Sequence, residues 1–170
     1  ASLEELKSFS ASFPTYSGAA MFHMEGITPD RVSAPAEKIV ITQKDVEDAI
    51  KFLNDECEVD FVSVGCPHCS INEMERIAYL LKGNKVSKET WITTSRQVKA
   101  EAEKKGWTKI IESSGAKIVC DTCLAVAPLK GRFKGIATNS AKGCYYGRGS
   151  NGFKTSFMSL EECIQEAVRK

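Results

Sequence analysis

VDFVSVGCPHCSINEMERIAYLLKG, residues 59–83, is the stretch whose reading decides the fold. Val59 to Gly65 is apolar enough to form a strand covered on both faces. Ser70 and Glu73 make a capping-box pair that opens a helix with Ile71, Met74, Ile77, Ala78 and Leu81 on one side. Between strand and helix sits Gly65-Cys66-Pro67-His68-Cys69, a turn loaded with thiols and an imidazole. Strand, turn and helix together make one β–α unit.

The same unit recurs on either side. TWITT (90–94) predicts a strand, followed by a helix from about Ser95 to Lys105 that stops at Gly106, and by a further helical turn over 107–114 ending at Gly115. KIVCD (117–121), GIATN (135–139) and FKTSFM (153–158) predict three more strands. A short helix or loop is expected over 140–148. Ser159 and Glu162 box a final helix with Leu160, Cys163, Ile164 and Val168 facing inward. Upstream, KIVIT (38–42) reads as a first strand. Thr42 then caps a helix through residue 54, in which Val46, Ala49, Ile50 and Leu53 follow helical spacing. The expected fold is α/β, three-layer α/β/α, with a mostly parallel sheet. Its main domain is expected over 38–170. Residues 1–37 are expected to be an irregular segment packed on it, with a short helix at 2–9, one short buried strand at 19–24 (AAMFHM) carrying His23, and a loop containing Pro29 and Pro35.

Composition narrows the function classes. At 42% hydrophobic residues and a net charge of +1, the chain can bury a core, so disorder is excluded. No apolar run nears the ~20 residues that span a bilayer. Near-zero net charge argues against nucleic-acid binding by bulk electrostatics. The start, ASLEELKSFS, carries no secretory pattern. The seven cysteines are odd in number, in a domain large enough to fold without staples, which points to a reducing, cytoplasmic setting.

In parallel sheets the ligand site lies at the carboxyl ends of the strands. Here those ends carry Cys66, His68 and Cys69; Ser95 and Arg96; Cys120, Asp121, Thr122 and Cys123; and Asn139, Ser140 and Lys142. Packing alone does not require that clustering. Arg96 and Lys142 stand at helix starts, where a cation is unfavourable unless it faces an anion. Buried small hydrophobes account for Cys57, Cys144 and Cys163. For Cys66 and Cys123 a ligand role is favoured, and three chemistries remain open. They are a zinc-stabilised interaction domain, thiol–disulfide exchange through Cys66 and Cys69, and an iron–sulfur cluster held from separate loops.

At these residues the chain resembles the aconitase X family, in its large or catalytic subunit. The likeness runs through FHMEGITP, the 59–83 stretch, WITTSRQV, AKIVCDTCLAVAPL, ATNSAKGCYY and SLEECIQEAV, in that order. GCPH, DTC and TNSAK together are more specific than any lone C-x-x-C. The resemblance implies an aconitase-like domain in a hydro-lyase that uses an iron–sulfur cluster, expected to be [4Fe–4S], with one iron open to substrate. It implies Cys66 and Cys123 as cluster ligands. His68, Ser95, Arg96, Ser140 and Lys142 would be the catalytic set, and Asp121, Thr122 and Asn139 would be substrate-binding. The GCPH form favours the archaeal-type branch that dehydrates phosphomevalonate, in isoprenoid biosynthesis by the mevalonate pathway, over the branch that dehydrates hydroxyproline. The family's TCAPY-like motif, taken to supply a third cluster cysteine, does not occur in this chain. The chain is therefore expected to be the C-terminal lobe of a larger subunit. Its expected partners are the N-terminal half and a small swivelling subunit, with a small hydroxy acid as substrate and no nucleic acid or membrane. Cys69 or Cys120 is the expected substitute should the third ligand come from this chain.

Overall fold

A computed structural model describes residues 1–170. Five parallel strands form one sheet: β1 (Phe61–Cys69), β2 (Glu89–Thr94), β3 (Lys117–Cys120), β4 (Gly135–Thr138) and β5 (Lys154–Phe157), in the order β3-β2-β1-β4-β5. The helices are α1 (Leu3–Ser17), α2 (Gln43–Phe52), α3 (Ile71–Leu81), α4 (Arg96–Lys104), α5 (Trp107–Ser113), α6 (Ala141–Tyr146) and α7 (Leu160–Val168). A π-helical turn, Gly147–Asn151, follows α6. No helix is long and apolar enough to cross a membrane.

Alternation along β1 divides the core. Val62 and Val64 face one side, where they meet Met74, Ile77, Ala78 and Leu81 of α3, Ala102, Ile111, and Cys163, Ile164 and Ala167 of α7. Phe61 faces the other side, in a smaller cluster with Leu124, Leu129, Ile136 and Phe153. Both faces of the central strand are therefore covered, as its unbroken apolar run demands. Capping boxes start α1 (Ser2, Glu5), α2 (Thr42, Asp45), α3 (Ser70, Glu73) and α7 (Ser159, Glu162).

Three expectations fail near the amino end. KIVIT forms no strand; Ile39, Val40 and Ile41 are 87%, 79% and 70% exposed. β-Branched residues favour extended backbone, but a strand needs an edge to pair with, and the sheet ends at β3 and β5. Nor does AAMFHM form a strand, and His23 is exposed rather than buried. Phe22 instead packs edge-on against Phe9 and Phe13 of α1, with ring centroids 5.0 and 5.4 Å away. The segment 1–37 thus contains a 15-residue helix, twice the length expected, and no strand. α2 forms where its cap and spacing predict, yet none of its residues is buried. β1 runs on past Gly65 to Cys69.

Candidate functional site

Where β1 ends, it departs from its neighbour. Its register against β2 jumps from Val64 opposite Ile92 to Cys69 opposite Thr94, so residues 65–68 bulge off the ladder. Gly65 makes the bulge feasible. Its φ is +99°, and a Cβ there would lie 2.1 Å from the Thr93 carbonyl oxygen. The Cys66–Pro67 peptide is cis. Side chains replace the lost ladder bonds. The Thr93 hydroxyl donates to the Val64 carbonyl (3.1 Å), and the Thr94 hydroxyl donates to that of Cys69 (2.8 Å).

After β3, Asp121 adopts φ +56° and its N–H donates to the Thr94 carbonyl (3.0 Å). This turns the chain so that Cys123 faces back toward β1. Leu124 and Leu129 plug the following loop into the smaller core cluster, and the Asn151 amide donates to the Leu124 carbonyl (2.9 Å). After β4, buried Ser140 caps α6 by accepting from the Gly143 N–H (2.9 Å).

These three turns enclose a hollow of about 400 Å³ lined by Gly65, Cys66, Pro67, His68, Cys123, Ala125, Val126, Lys142 and Tyr146. Cys66 and Cys123 are neighbours within it. Interaction with Cys123, together with desolvation, pushes the Cys66 thiol far up. Interaction with Cys66 holds Cys123 well below the usual thiol range. Burial opposes it, while the Ala125 and Val126 N–H groups and nearby His68 assist. The Ser140 hydroxyl and the Lys142 charge favour the ionised form of Cys66. One ring nitrogen of His68, Nε2, lies 3.1 Å from the Thr122 carbonyl oxygen. A carbonyl only accepts, so Nε2 carries a hydrogen toward it.

Of the site residues expected from sequence, Cys66, His68, Cys123 and Lys142 line this hollow, and Ser140 touches it through Cys66. Thr122 enters through its carbonyl. The others stand apart. Ser95 caps α4 by accepting from the Val98 N–H (3.2 Å). Arg96 pairs with Asp121 on the rim, its side chain 81% exposed. Asn139 lines a different hollow, with Glu4, Asn72 and Glu73. Tyr146 and Val126 were missed. Neither carries a sequence signal, because what brings them here is the path of α6 and of the loop after β3.

Cys69 does not join the site. It is 2% exposed, lies in the main core, and burial pushes its thiol far up. It therefore offers neither a resolving sulfur for Cys66 nor a third metal donor. Cys120 is half-buried and does not line the hollow. No three His, Cys, Asp or Glu residues of the chain converge as a metal-holding set, so a zinc site closed within these residues does not form. Two convergent sulfurs, one held below the usual thiol range, nevertheless suit a soft-metal group completed by donors from elsewhere. A larger hollow of about 690 Å³, near Val59, Lys88 and Arg169, holds paired charges such as Lys88–Glu166 (3.1 Å).

A parallel α/β sheet of this kind has known counterparts. The chain belongs to the aconitase X family: the Aconitase X third domain matches residues 59–169 and the Aconitase X second domain matches residues 1–51. It is 37% identical to the phosphomevalonate dehydratase large subunit of Methanosarcina mazei, over 97% of this chain and 42% of that one. It is 39% identical to the Thermococcus kodakarensis subunit of the same name, over 96% of this chain and 44% of that one. The cis-3-hydroxy-L-proline dehydratase of Pseudomonas aeruginosa is 33% identical, over 97% of this chain and 31% of that one. The crystal structure of Thermococcus kodakaraensis aconitase X in its holo form superposes with a TM-score of 0.87 at 36% identity, covering 98% of this chain and 44% of that one. The chain thus spans less than half the length of these relatives.

Proposed function

We propose that this chain is part of an iron–sulfur-dependent hydro-lyase acting on phosphomevalonate, with Cys66 and Cys123 as two ligands of a [4Fe–4S] cluster. The observation that carries this reading is the convergence of those two sulfurs, from turns after β1 and β3, on one hollow that also holds a cation and an imidazole. Bound there, such a cluster supplies a Lewis-acidic iron that polarises a substrate hydroxyl. The third ligand comes from outside these residues. The rest of the large subunit and a small swivelling subunit complete the site, and the latter brings the base that takes the carbon-bound proton. Seven free thiols suit a reducing, cytoplasmic setting.

The chain's own residues bind and orient. Lys142, anchored over the Tyr146 ring with its ammonium 6.0 Å from the centroid, neutralises thiolate charge and holds an anionic group of the substrate. Arg96, fixed by Asp121, stands at the rim, and Thr122 contributes the carbonyl that holds the His68 ring. Ser95 and Ser140 hold the starts of α4 and α6 and thereby aim those cations. With Nε2 tied to Thr122, His68 presents Nδ1 to hold a proton near the departing hydroxyl. The Lys142 cation in the hollow suits an anionic group such as a phosphorylated acid carries, and the two phosphomevalonate relatives compared above are 37% and 39% identical, against 33% for the hydroxyproline relative. The test is turnover by the intact large subunit, paired with its small subunit and loaded anaerobically. Loss of water from phosphomevalonate is expected. Turnover of cis-3-hydroxy-L-proline instead would overturn the substrate, and a loaded cluster with neither activity would overturn the reaction.

A further inference from the structure

The bulge of residues 65–68 off β2 leaves the His68 carbonyl without a ladder partner. The group that satisfies it comes from the other end of the chain. Lys7, on α1, donates from Nζ to the His68 carbonyl oxygen at 2.9 Å. The same ammonium pairs with Glu73, both side chains being largely buried. Glu73 also accepts from the Ser70 N–H (2.7 Å), closing the cap of α3 directly after Cys69. One turn earlier on α1, Glu4 accepts from the Ser70 hydroxyl (3.0 Å). At the far end of α1, the Tyr16 hydroxyl donates to the carbonyl of Ala141, beside Lys142 (2.8 Å), and the Tyr16 ring meets Tyr145 edge-on at 5.3 Å. α1, which lies in the second-domain match, thus braces two turns of the third-domain site.

We infer that Lys7 is a positioning residue: by holding the His68 carbonyl and Glu73 together it fixes the Cys66-Pro67-His68-Cys69 turn, so that Cys66 faces Cys123 while the His68 ring reaches Thr122. The inference deepens the proposed function and rests on its assignment of Cys66 as a ligand. A surface ion pair would give little order, because water competes for both partners. Here the ammonium satisfies a carbonyl that has no ladder bond, so its loss frees the turn itself.

Hydrogen exchange of the 170-residue chain tests the positioning without any cluster. In Lys7→Met, amides of the 65–70 segment should exchange about tenfold faster, while α3 and α7 keep their protection. Lys7→Arg, which keeps charge and donors, should restore most of it. The double variant Lys7→Met with Glu73→Gln removes the orphaned carboxylate and should show the same local loosening. Unchanged exchange at 65–70, or equal acceleration across the whole sheet, would overturn the inference. In the intact, iron-loaded subunit, Lys7→Met should alter the cluster's electron paramagnetic resonance signal, and Lys7→Arg should not. An unaltered signal with Lys7→Met would overturn the link to Cys66. A wild-type subunit that holds no cluster, with the exchange results as expected, would overturn the ligand assignment and leave the positioning role standing.

Discussion

Gly65 shows how one residue sets the geometry of the site. The strand before it is a ladder of paired backbone, and the chain after it must swing clear of β2 while staying close to Thr93. Only a residue without a Cβ passes, since an added carbon would sit 2.1 Å from the Thr93 carbonyl oxygen and 2.6 Å from its hydroxyl, at φ +99°. Gly65→Ala is expected to cost about 3 kcal/mol, from backbone strain plus displaced backbone contacts. Denaturant unfolding of the variant checks this, and a loss below about 1 kcal/mol would mean that the bulge relaxes cheaply. The paired thiols depend on the same turn. Cys66 and Cys123 are 57 positions apart by number, and neither sits in a ligand spacing that names a metal. Their meeting follows from the two turns, one opened by Gly65 and the other by Asp121 in a left-handed conformation.

At the scale of elements, the connection from α2 into the sheet is fastened by Asp55. Its N–H donates to the Thr155 carbonyl (2.7 Å), and its carboxylate accepts from the Thr155 N–H (2.8 Å) and from Arg148 (3.1 Å). Burial pushes this carboxyl up, but the Thr155 N–H and the Arg148 guanidinium outweigh it and hold the group below its ordinary value. A folded-state pKa below the unfolded one stabilises the fold at neutral pH, and that stability is lost as pH falls through the folded value. Asp55→Asn should therefore lower stability by about 1 kcal/mol at pH 7, a figure discounted for partial exposure. The gap from wild type should close by about pH 2. A gap of constant size across that range would assign the loss to packing instead.

Across the whole molecule, the β–α units from residue 59 onward are legible in sequence because each carries its signals locally. Ser70 with Glu73 and Ser159 with Glu162 cap helices whose apolar faces then pack as their spacing implies. KIVIT misleads because propensity is local and pairing is not. Three β-branched residues favour extension, but no strand edge in these 170 residues meets them. The site is legible to the extent that strand ends place it. Cys66, His68, Cys123 and Lys142 stand where a parallel sheet gathers ligands, whereas Asn139 turns to another hollow and Ser95 serves its own helix. The contact from Lys7 to His68 crosses 61 residues and has no sequence signature at all.

The most direct test is cluster assembly in the intact large subunit, reconstituted anaerobically with iron and sulfide, in wild type and in Cys66→Ser, Cys123→Ser and Cys120→Ser. If Cys66 and Cys123 hold the cluster, either substitution abolishes the iron–thiolate absorption and the bound iron, and Cys120→Ser retains both. Full cluster content in Cys66→Ser or Cys123→Ser would contradict the central claim.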